Sequence, residues 1–205
     1  MMRPQRLLLT LCLLLGAIQP SRGADDLAPI IARVARPDLL RGHFEQDKQV
    51  VGFRKPLRSA GHFVLARGRG ILWWTERPFP SSLVVTNDHL IAETGGDRRR
   101  IDASDEPALR IINTMLFDVF GGDIARLQSG FAIAGEVAEG GRWYLRLTPK
   151  PGLFAQAFTR IDLEGGRYVD VVTLDERNGD RSSIRFSAFA EAPALDADEV
   201  ARLAQ

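Results

Sequence analysis

The stretch from Gly61 to Pro80 reads GHFVLARGRGILWWTERPFP, and it decides the fold that the sequence predicts. It contains two apolar segments, and their Phe, Val, Ile and Trp residues are typical of β-strands. Gly68 and Gly70 separate the segments, and glycine permits the positive φ angles of a tight turn. Because so short a connection excludes a parallel crossover, the two segments are predicted to form an antiparallel hairpin.

Side chains alternate between the two faces of this hairpin. Counted from Gly61, Phe63 and Leu65 face the same way as Arg67. We therefore expect Phe63 and Leu65 to line a cavity whose rim carries Arg67. The opposite face carries His62, Val64 and Ala66.

Segments of the same kind occur on both sides of the hairpin. Before it, Gly42–Phe53 alternates loosely, and after it two strand-like segments flank an Asn87–Asp88 turn. Five more follow, separated by glycine-containing turns: FAIAGEVA, RWYLRLTP, QAFTRIDL, YVDVVTLD and SIRFSAFA. This pattern predicts a mainly β protein with helices, built on a meandering antiparallel sheet of about ten or eleven strands. A sheet of that size curls towards a barrel because strands twist.

Two segments have helical periodicity. Leu27–Val34 carries apolar residues at helical spacing, and its helix must end before Pro37. A longer helix is predicted from an N-cap at Ser104 to the pair Gly121–Gly122. Its apolar residues are Leu109, Ile111, Ile112, Met115, Leu116, Val119 and Phe120. Because they cover most of its circumference, this is either an ordinary core helix or an element that lies over a hydrophobic concavity.

The chain begins with the features of an exported protein. Two arginines precede a leucine-rich run at Leu7–Ile18, and the small residues Ser21 and Gly23 follow it. This predicts a signal peptide over residues 1–23, followed by a single soluble domain over residues 24–205. Acylation at Cys12 is not predicted, because this cysteine follows a leucine inside the apolar run.

Composition argues against several functions. The chain has 27 Lys and Arg against 26 Asp and Glu, and loss of three arginines with residues 1–23 changes the net charge from +1 to −2. That balance does not favour nucleic-acid binding, which depends on the neutralisation of phosphates. Arg98–Arg100 follows two glycines and is interpreted as a solvated turn. Without Cys12, the exported chain has neither a disulfide nor a thiol nucleophile.

The sequence contains no recognisable catalytic or metal-binding motif. His43, His62 and His89 each lie on or beside a strand, without a second ligand at metal-site spacing. A nucleophile elbow and a phosphate-binding glycine loop are both missing from the sequence. We therefore predict that the protein is not an enzyme and that it needs no cofactor and no metal. A hydrolase would have to assemble a buried histidine beside a serine or a carboxylate from residues that give no local sign.

The order of several segments resembles the LolA family of periplasmic outer-membrane lipoprotein carrier proteins. The segments are HFEQDK, KPLRSAGHF, GILWWTERPFP and LVVTNDHLI, followed by a helix, and the similarity extends from about Leu39 to Leu174. The resemblance implies an incomplete antiparallel β-barrel in the periplasm, with helices covering its concave face. It also implies a non-catalytic chaperone that binds the acyl chains of lipoproteins in a hydrophobic cavity and transfers them towards the outer membrane. Its partners would be membrane-bound donor and acceptor proteins, and we expect a monomer that binds no nucleic acid.

The resemblance and the predicted strand facing together give a candidate lipid-binding site. Its residues are Phe44, Phe63, Leu65, Trp73, Val85, Leu109, Ile112, Met115 and Leu116. In LolA relatives, an arginine at the position of Arg67 holds the helical lid through hydrogen bonds. The family commonly has a proline after this arginine, whereas Gly68 and a second arginine, Arg69, follow it here. Arg67 is the favoured latch and Arg69 the alternative, and both arginines also fit as ordinary surface charges.

Two related functions remain open. One is a LolA-like carrier of another lipid-linked product. The other is an RseB-like regulator that binds lipid and passes the signal to a membrane protein. Such a regulator usually has a second domain, for which the 182 residues after the predicted signal peptide leave little room.

Overall fold

The computed structural model describes residues 27–105 and 107–205, and in the central helix it describes side chains from Asn113 onward. The predicted signal peptide therefore lies outside the described residues. The side chains of Leu109 and Ile112, two predicted site residues, lie outside them as well.

Eleven strands form one antiparallel sheet in the described part of the chain. They are β1 (Leu39–Gln49), β2 (Leu57–Ala66), β3 (Gly70–Arg77), β4 (Ser81–Val85), β5 (His89–Thr94), β6 (Asp97–Asp102), β7 (Phe131–Val137), β8 (Trp143–Pro149), β9 (Phe158–Gly165), β10 (Val169–Glu176) and β11 (Arg181–Glu191). The first and last strands are neighbours, so the strand order is β6-β5-β4-β3-β2-β1-β11-β10-β9-β8-β7.

The sheet is open, because its two end strands, β6 and β7, do not pair with each other. The chain segment between them forms two helices rather than a twelfth strand, and these helices connect the two free edges. These observations confirm the predicted incomplete antiparallel barrel of about ten or eleven strands accompanied by helices.

Five α-helices are present in the described residues: α1 (Ala28–Ile31), α2 (Pro107–Phe120), α3 (Ile124–Leu127), α4 (Leu153–Ala157) and α5 (Ala197–Leu203). The predicted central helix is α2, which ends at Phe120 as its following glycines indicate. Its start is later than predicted. Ser104 lies in the preceding turn, where its hydroxyl contacts the Asp105 carboxylate at 3.4 Å.

The interpretation of Arg98–Arg100 as a turn is wrong. These arginines belong to β6, which pairs with β5 so that Arg99 lies opposite Ala92. Gly95 and Gly96 have φ angles of 61° and 91°, and they complete the turn before the arginines begin. The strand therefore resumes at once, and its exposed arginines protect a free sheet edge from pairing with other chains.

The two faces of the sheet carry separate apolar clusters. Phe63 and Leu65 belong to the larger cluster, on the inner face, with residues of α1, α2 and α3. Val64 and Ala66 belong to a smaller cluster on the outer face, which Leu203 of α5 covers. The predicted alternation along β2 is therefore observed.

Gly61 permits a close approach of β2 and β3. A Cβ atom at this position would lie 1.8 Å from the carbonyl oxygen of Trp74. Any side chain would force the two strands apart, so the glycine keeps Phe63 in register with Trp73 on the inner face.

Candidate functional site

Aromatic rings from four strands line the inner face beneath α2. The rings of Phe44 and Trp73 stack with centroids 3.8 Å apart. The ring of Phe186 packs edge-on against Phe63, with centroids 5.5 Å apart, and against Phe120 of α2 at 5.1 Å. The interior surface is therefore a broad aromatic patch, and the end of α2 packs directly on it.

Helix α2 covers this patch with its own apolar side chains. Met115 and Val119 are buried in the inner cluster, and Leu116, Phe117 and Phe120 pack against it while remaining half-buried. The helix therefore fills the space directly above the patch, and any molecule placed there would require α2 to move.

The structure brings most of the predicted lipid-binding residues together. Phe44, Phe63, Leu65, Val85 and Met115 are buried in the inner cluster, and Trp73 and Leu116 lie at its margin. Leu109 and Ile112 belong to α2, but their side chains are outside the described residues. The role of these residues in lipid binding stays a prediction.

Arg67 connects the turn after β2 to the C-terminal end of α2. Its Nη2 donates a hydrogen bond to the carbonyl oxygen of Gly121 at 2.8 Å, and its Nη1 donates to Asp123 Oδ2 at 2.9 Å. Its Nε donates to the carbonyl oxygen of Pro37 at 3.3 Å. One planar guanidinium therefore joins the helix end to the segment before β1, a task that suits the fork geometry of arginine.

Arg69 takes no part in these contacts. It is exposed, and within residues 27–105 and 107–205 its side chain has no hydrogen bond or ion pair. Of the two candidate latches, only Arg67 reaches α2.

Asp123 is the partner that the sequence did not indicate. Its Oδ2 accepts the hydrogen bond from Arg67 Nη1, and its Oδ1 lies 3.2 Å from Arg36 Nη1. Nearby, burial raises the pKa of the Asp118 carboxyl, and Arg126 Nε at 3.2 Å opposes that shift. We call Arg36, Arg67, Gly121 and Asp123 the latch cluster.

A second polar contact holds the middle of α2. Asn113 is fully buried, and its Nδ2 donates to the carbonyl oxygen of Thr86 at 2.7 Å, in the turn between β4 and β5. His89 closes that turn through its backbone N–H, which donates to Thr86 Oγ1 at 3.0 Å. Burial lowers the pKa of His89, and the positive charge of Arg100 adds to the effect. In the sequence, the only indication of this contact is the amide of Asn113 itself, which stands beside the apolar residues of the helix.

A cavity of about 270 Å³ lies beside α2. Met115 and Leu127 border it from α2 and α3, and Phe131 and Phe154 border it from β7 and α4. It marks a place where the inner cluster reaches the surface. Its volume is at or below the lower limit of ordinary small-molecule sites, which hold about 300–1,000 Å³.

The described residues contain no group of three His, Cys, Asp or Glu side chains that could hold a metal ion. None of their helices is long and apolar enough to cross a membrane.

The fold and the site together define a class: an open antiparallel half-barrel whose apolar inner face is covered by a helix. The chain belongs to the LolA family, because the model for the outer membrane lipoprotein carrier protein LolA matches residues 38–200. No curated protein matches the sequence.

Several solved structures are similar to this chain. A LolA superfamily protein from Nitrosomonas europaea has 10% identity and a TM-score of 0.47, and the match covers 84% of this chain and 94% of that one. A DUF1329 family protein from Desulfovibrio piger has 13% identity and a TM-score of 0.45, with 83% and 92% covered. The MucA/MucB complex of Pseudomonas aeruginosa gives a match with 15% identity and a TM-score of 0.34, with 80% of this chain and 56% of that chain covered.

Proposed function

We propose that this protein is a non-catalytic periplasmic carrier that binds the acyl chains of lipoproteins between the sheet and α2. It would receive them from one membrane-bound partner and deliver them to another on the way to the outer membrane. The observation that carries the proposal is an aromatic inner face covered by a helix that a few polar contacts hold at its end and middle.

The energy of lipid transfer explains why such a site has to be apolar. An acyl chain of about sixteen carbons loses roughly 0.8 kcal/mol per CH₂ on entering water, or about 12 kcal/mol in all. A carrier must supply most of that energy and still release its cargo. Rings such as Phe44, Trp73 and Phe186 offer apolar area without directional hydrogen bonds, so the site can bind an acyl chain tightly and still release it.

Helix α2 makes release possible, because it competes with the lipid for the same surface. When cargo leaves, Met115 and Val119 return to the inner cluster and bury the rings again. The latch cluster and Asn113 add polar contacts that are present only when the helix is seated. A ligand that binds only the open form shifts the population towards that form.

Mass spectrometry of lipid that co-purifies with the protein from the periplasm of its host tests this proposal. We expect acylated lipoprotein, or fragments that carry its acyl chains, in amounts comparable to the protein. Acyl-bearing molecules without a peptide would instead assign the site to another lipid-linked product. Protein that carries no apolar ligand, even with Arg67 replaced by leucine to weaken closure, would contradict the proposal.

A further inference from the structure

The most exposed large apolar side chains among the described residues lie at one end of the sheet. They expose more than half of their surface, from 53% for Leu57 to 76% for Phe79. Two lie in the loop between β1 and β2, one begins β2, and one lies in the loop between β3 and β4. We call residues 50–57 and 78–80 the tip surface; its four apolar residues are Val51, Phe53, Leu57 and Phe79.

The strand register places the two loops side by side. In the β2–β3 pair, Ala60 lies opposite Arg77, and both loops leave the sheet a few residues beyond that pair. The longer loop is fixed by hydrogen bonds. The Val51 N–H donates to Asp180 Oδ1 at 2.9 Å, and Gln49 Nε2 donates to the carbonyl oxygen of Phe53 at 2.8 Å. Its apolar side chains therefore project from an ordered turn.

Cations surround these apolar side chains. Arg54 and Lys55 follow Phe53, and Arg77 precedes the second loop; all three are exposed. Within the described parts of the chain, none of the three forms an ion pair with a carboxylate. Carboxylates also lie nearby. Asp47 is paired with Arg58 at 3.0 Å, Glu76 lies 2.8 Å from His62 Nδ1, and Asp180, which accepts the Val51 N–H, lies 3.6 Å from Lys48 Nζ.

We propose that the tip surface docks on an anionic phospholipid bilayer. Its apolar side chains enter the boundary between headgroups and acyl chains, and Arg54, Lys55 and Arg77 lie at the headgroup phosphates. Membrane-surface binding of this kind combines buried apolar area with electrostatic attraction to anionic lipids.

A bilayer fits this surface better than a protein partner does. The apolar side chains protrude from two loops and the start of β2, and the space at Gly52 is open: a Cβ built there would have no atom beyond its chain neighbours within 4 Å. A fluid bilayer accommodates such protrusions, whereas protein hot spots sit in well-packed pockets. Within residues 50–57 and 78–80 the only charged side chains are the cations Arg54 and Lys55, and they match the phosphates that lie directly above the acyl layer.

The docked orientation leaves the latch cluster free. β2 begins at Leu57 in the tip surface and ends at Ala66, directly before Arg67. The latch cluster therefore lies at the opposite end of the strand. Strand pairing places α4 at the same end as the tip surface. Gln49, the last residue of β1, lies opposite Arg181, which lies opposite Asp175; the next residue of β10 pairs with Phe158, directly after α4. The 270 Å³ cavity, which α4 borders, lies at this end as well.

Co-sedimentation with lipid vesicles tests the proposal. The protein is expressed from its full coding sequence, and its N-terminus is identified by mass spectrometry. We expect binding to phosphatidylethanolamine–phosphatidylglycerol vesicles and much weaker binding to phosphatidylcholine vesicles. The double substitution Phe53→Ser/Phe79→Ser should reduce binding about tenfold or more. Arg54→Gln/Lys55→Gln should reduce it roughly fivefold for each cation, and added salt should diminish this effect.

Matched controls use exposed residues away from the tip surface. Tyr144→Ser/Val200→Ser removes two of the less exposed apolar side chains, on β8 and α5, and Arg185→Gln removes an exposed cation from β11. These variants should bind vesicles as the wild type does. Any contribution from the N-terminal segment is common to all variants, so a difference between them reports on the tip surface.

Two results would overturn the proposal: failure of the wild type to bind anionic vesicles, or equal binding by the tip variants and their controls. Binding only to vesicles that contain a membrane protein would also overturn it and would assign the surface to a protein partner. Fatty-acid binding by the same variants separates this proposal from the proposed function. Vesicle binding without any fatty-acid binding would leave the docking surface intact and contradict the carrier.

Discussion

Replacing Arg67 with leucine is expected to strengthen fatty-acid binding by about tenfold to a hundredfold and to reduce transfer to an acceptor by a similar factor. The substitution removes three hydrogen bonds, to Gly121, Asp123 and Pro37, and places an apolar side chain at the rim. Helix α2 then closes less strongly on the inner face. The measurements are titration with a fluorescent fatty acid and transfer of the bound probe to acceptor vesicles.

The size of this effect follows from competition between helix and lipid. Hydrogen bonds to a charged group contribute about 1.5–3 kcal/mol each. The Arg67 side chain is 29% exposed, so water replaces part of what is lost, and we take a net change of about 1.4–2.8 kcal/mol in the closing equilibrium. Because the apparent affinity scales with the fraction of open protein, this change corresponds to a factor of about ten to a hundred.

Arg69→Leu is the matched control, because Arg69 is exposed and does not reach α2. It should bind and transfer the probe as the wild type does. A defect in the Arg69 variant alone would show that Arg69, and not Arg67, is the latch. Wild-type behaviour of both variants would refute the latch and leave lipid binding itself untouched.

Locking α2 in place is expected to abolish fatty-acid binding completely. Within the latch cluster, Arg36 Nη1 lies 3.2 Å from Asp123 Oδ1. Cysteines are shorter than the arginine that spans this distance, so cysteines at the two positions can be joined by a short bis-methanethiosulfonate. The background carries Cys12→Ser, which removes the one native cysteine. The joined protein should not bind the probe, because α2 stays on the inner face, and dithiothreitol should restore binding.

Each single-cysteine variant, treated with the same reagent, controls for modification without a bridge. These proteins should bind the probe before and after treatment. Undiminished binding by the bridged protein would mean that α2 does not leave the sheet at this end, and the competition between helix and lipid would then be the wrong mechanism.

The sheet could be predicted from the sequence because its signals are local. Alternation assigned Phe63 and Val64 to opposite faces, and short glycine turns required antiparallel neighbours. Where local signals competed, the prediction failed. Three successive arginines suggest a solvated turn, yet the two preceding glycines already complete the turn, so Arg98–Arg100 continue as an edge strand.

The site was less predictable because its polar contacts join distant parts of the chain. Arg67 could be singled out through a family resemblance, but Asp123, 56 residues away, has no sequence feature that distinguishes it from other surface acids. Asn113 offered a weak signal, as an amide beside an apolar helix face, and its partner is a backbone carbonyl that no side-chain pattern reports. Helix α5 was missed because it has seven residues and only Val200 and Leu203 as large apolar side chains.

The central claim is that acyl chains enter between α2 and the sheet, and the emission of Trp73 tests it most directly. Trp73 stacks on Phe44 at the inner face, whereas Trp74 lies on the outer face and Trp143 is fully buried in the inner cluster. Titration with a fatty acid should produce a saturable change in tryptophan emission, and Trp73→Phe should lose that change while still binding a radiolabelled fatty acid. An emission change of the same size in Trp73→Phe, or no saturable binding in the wild type, would contradict the account.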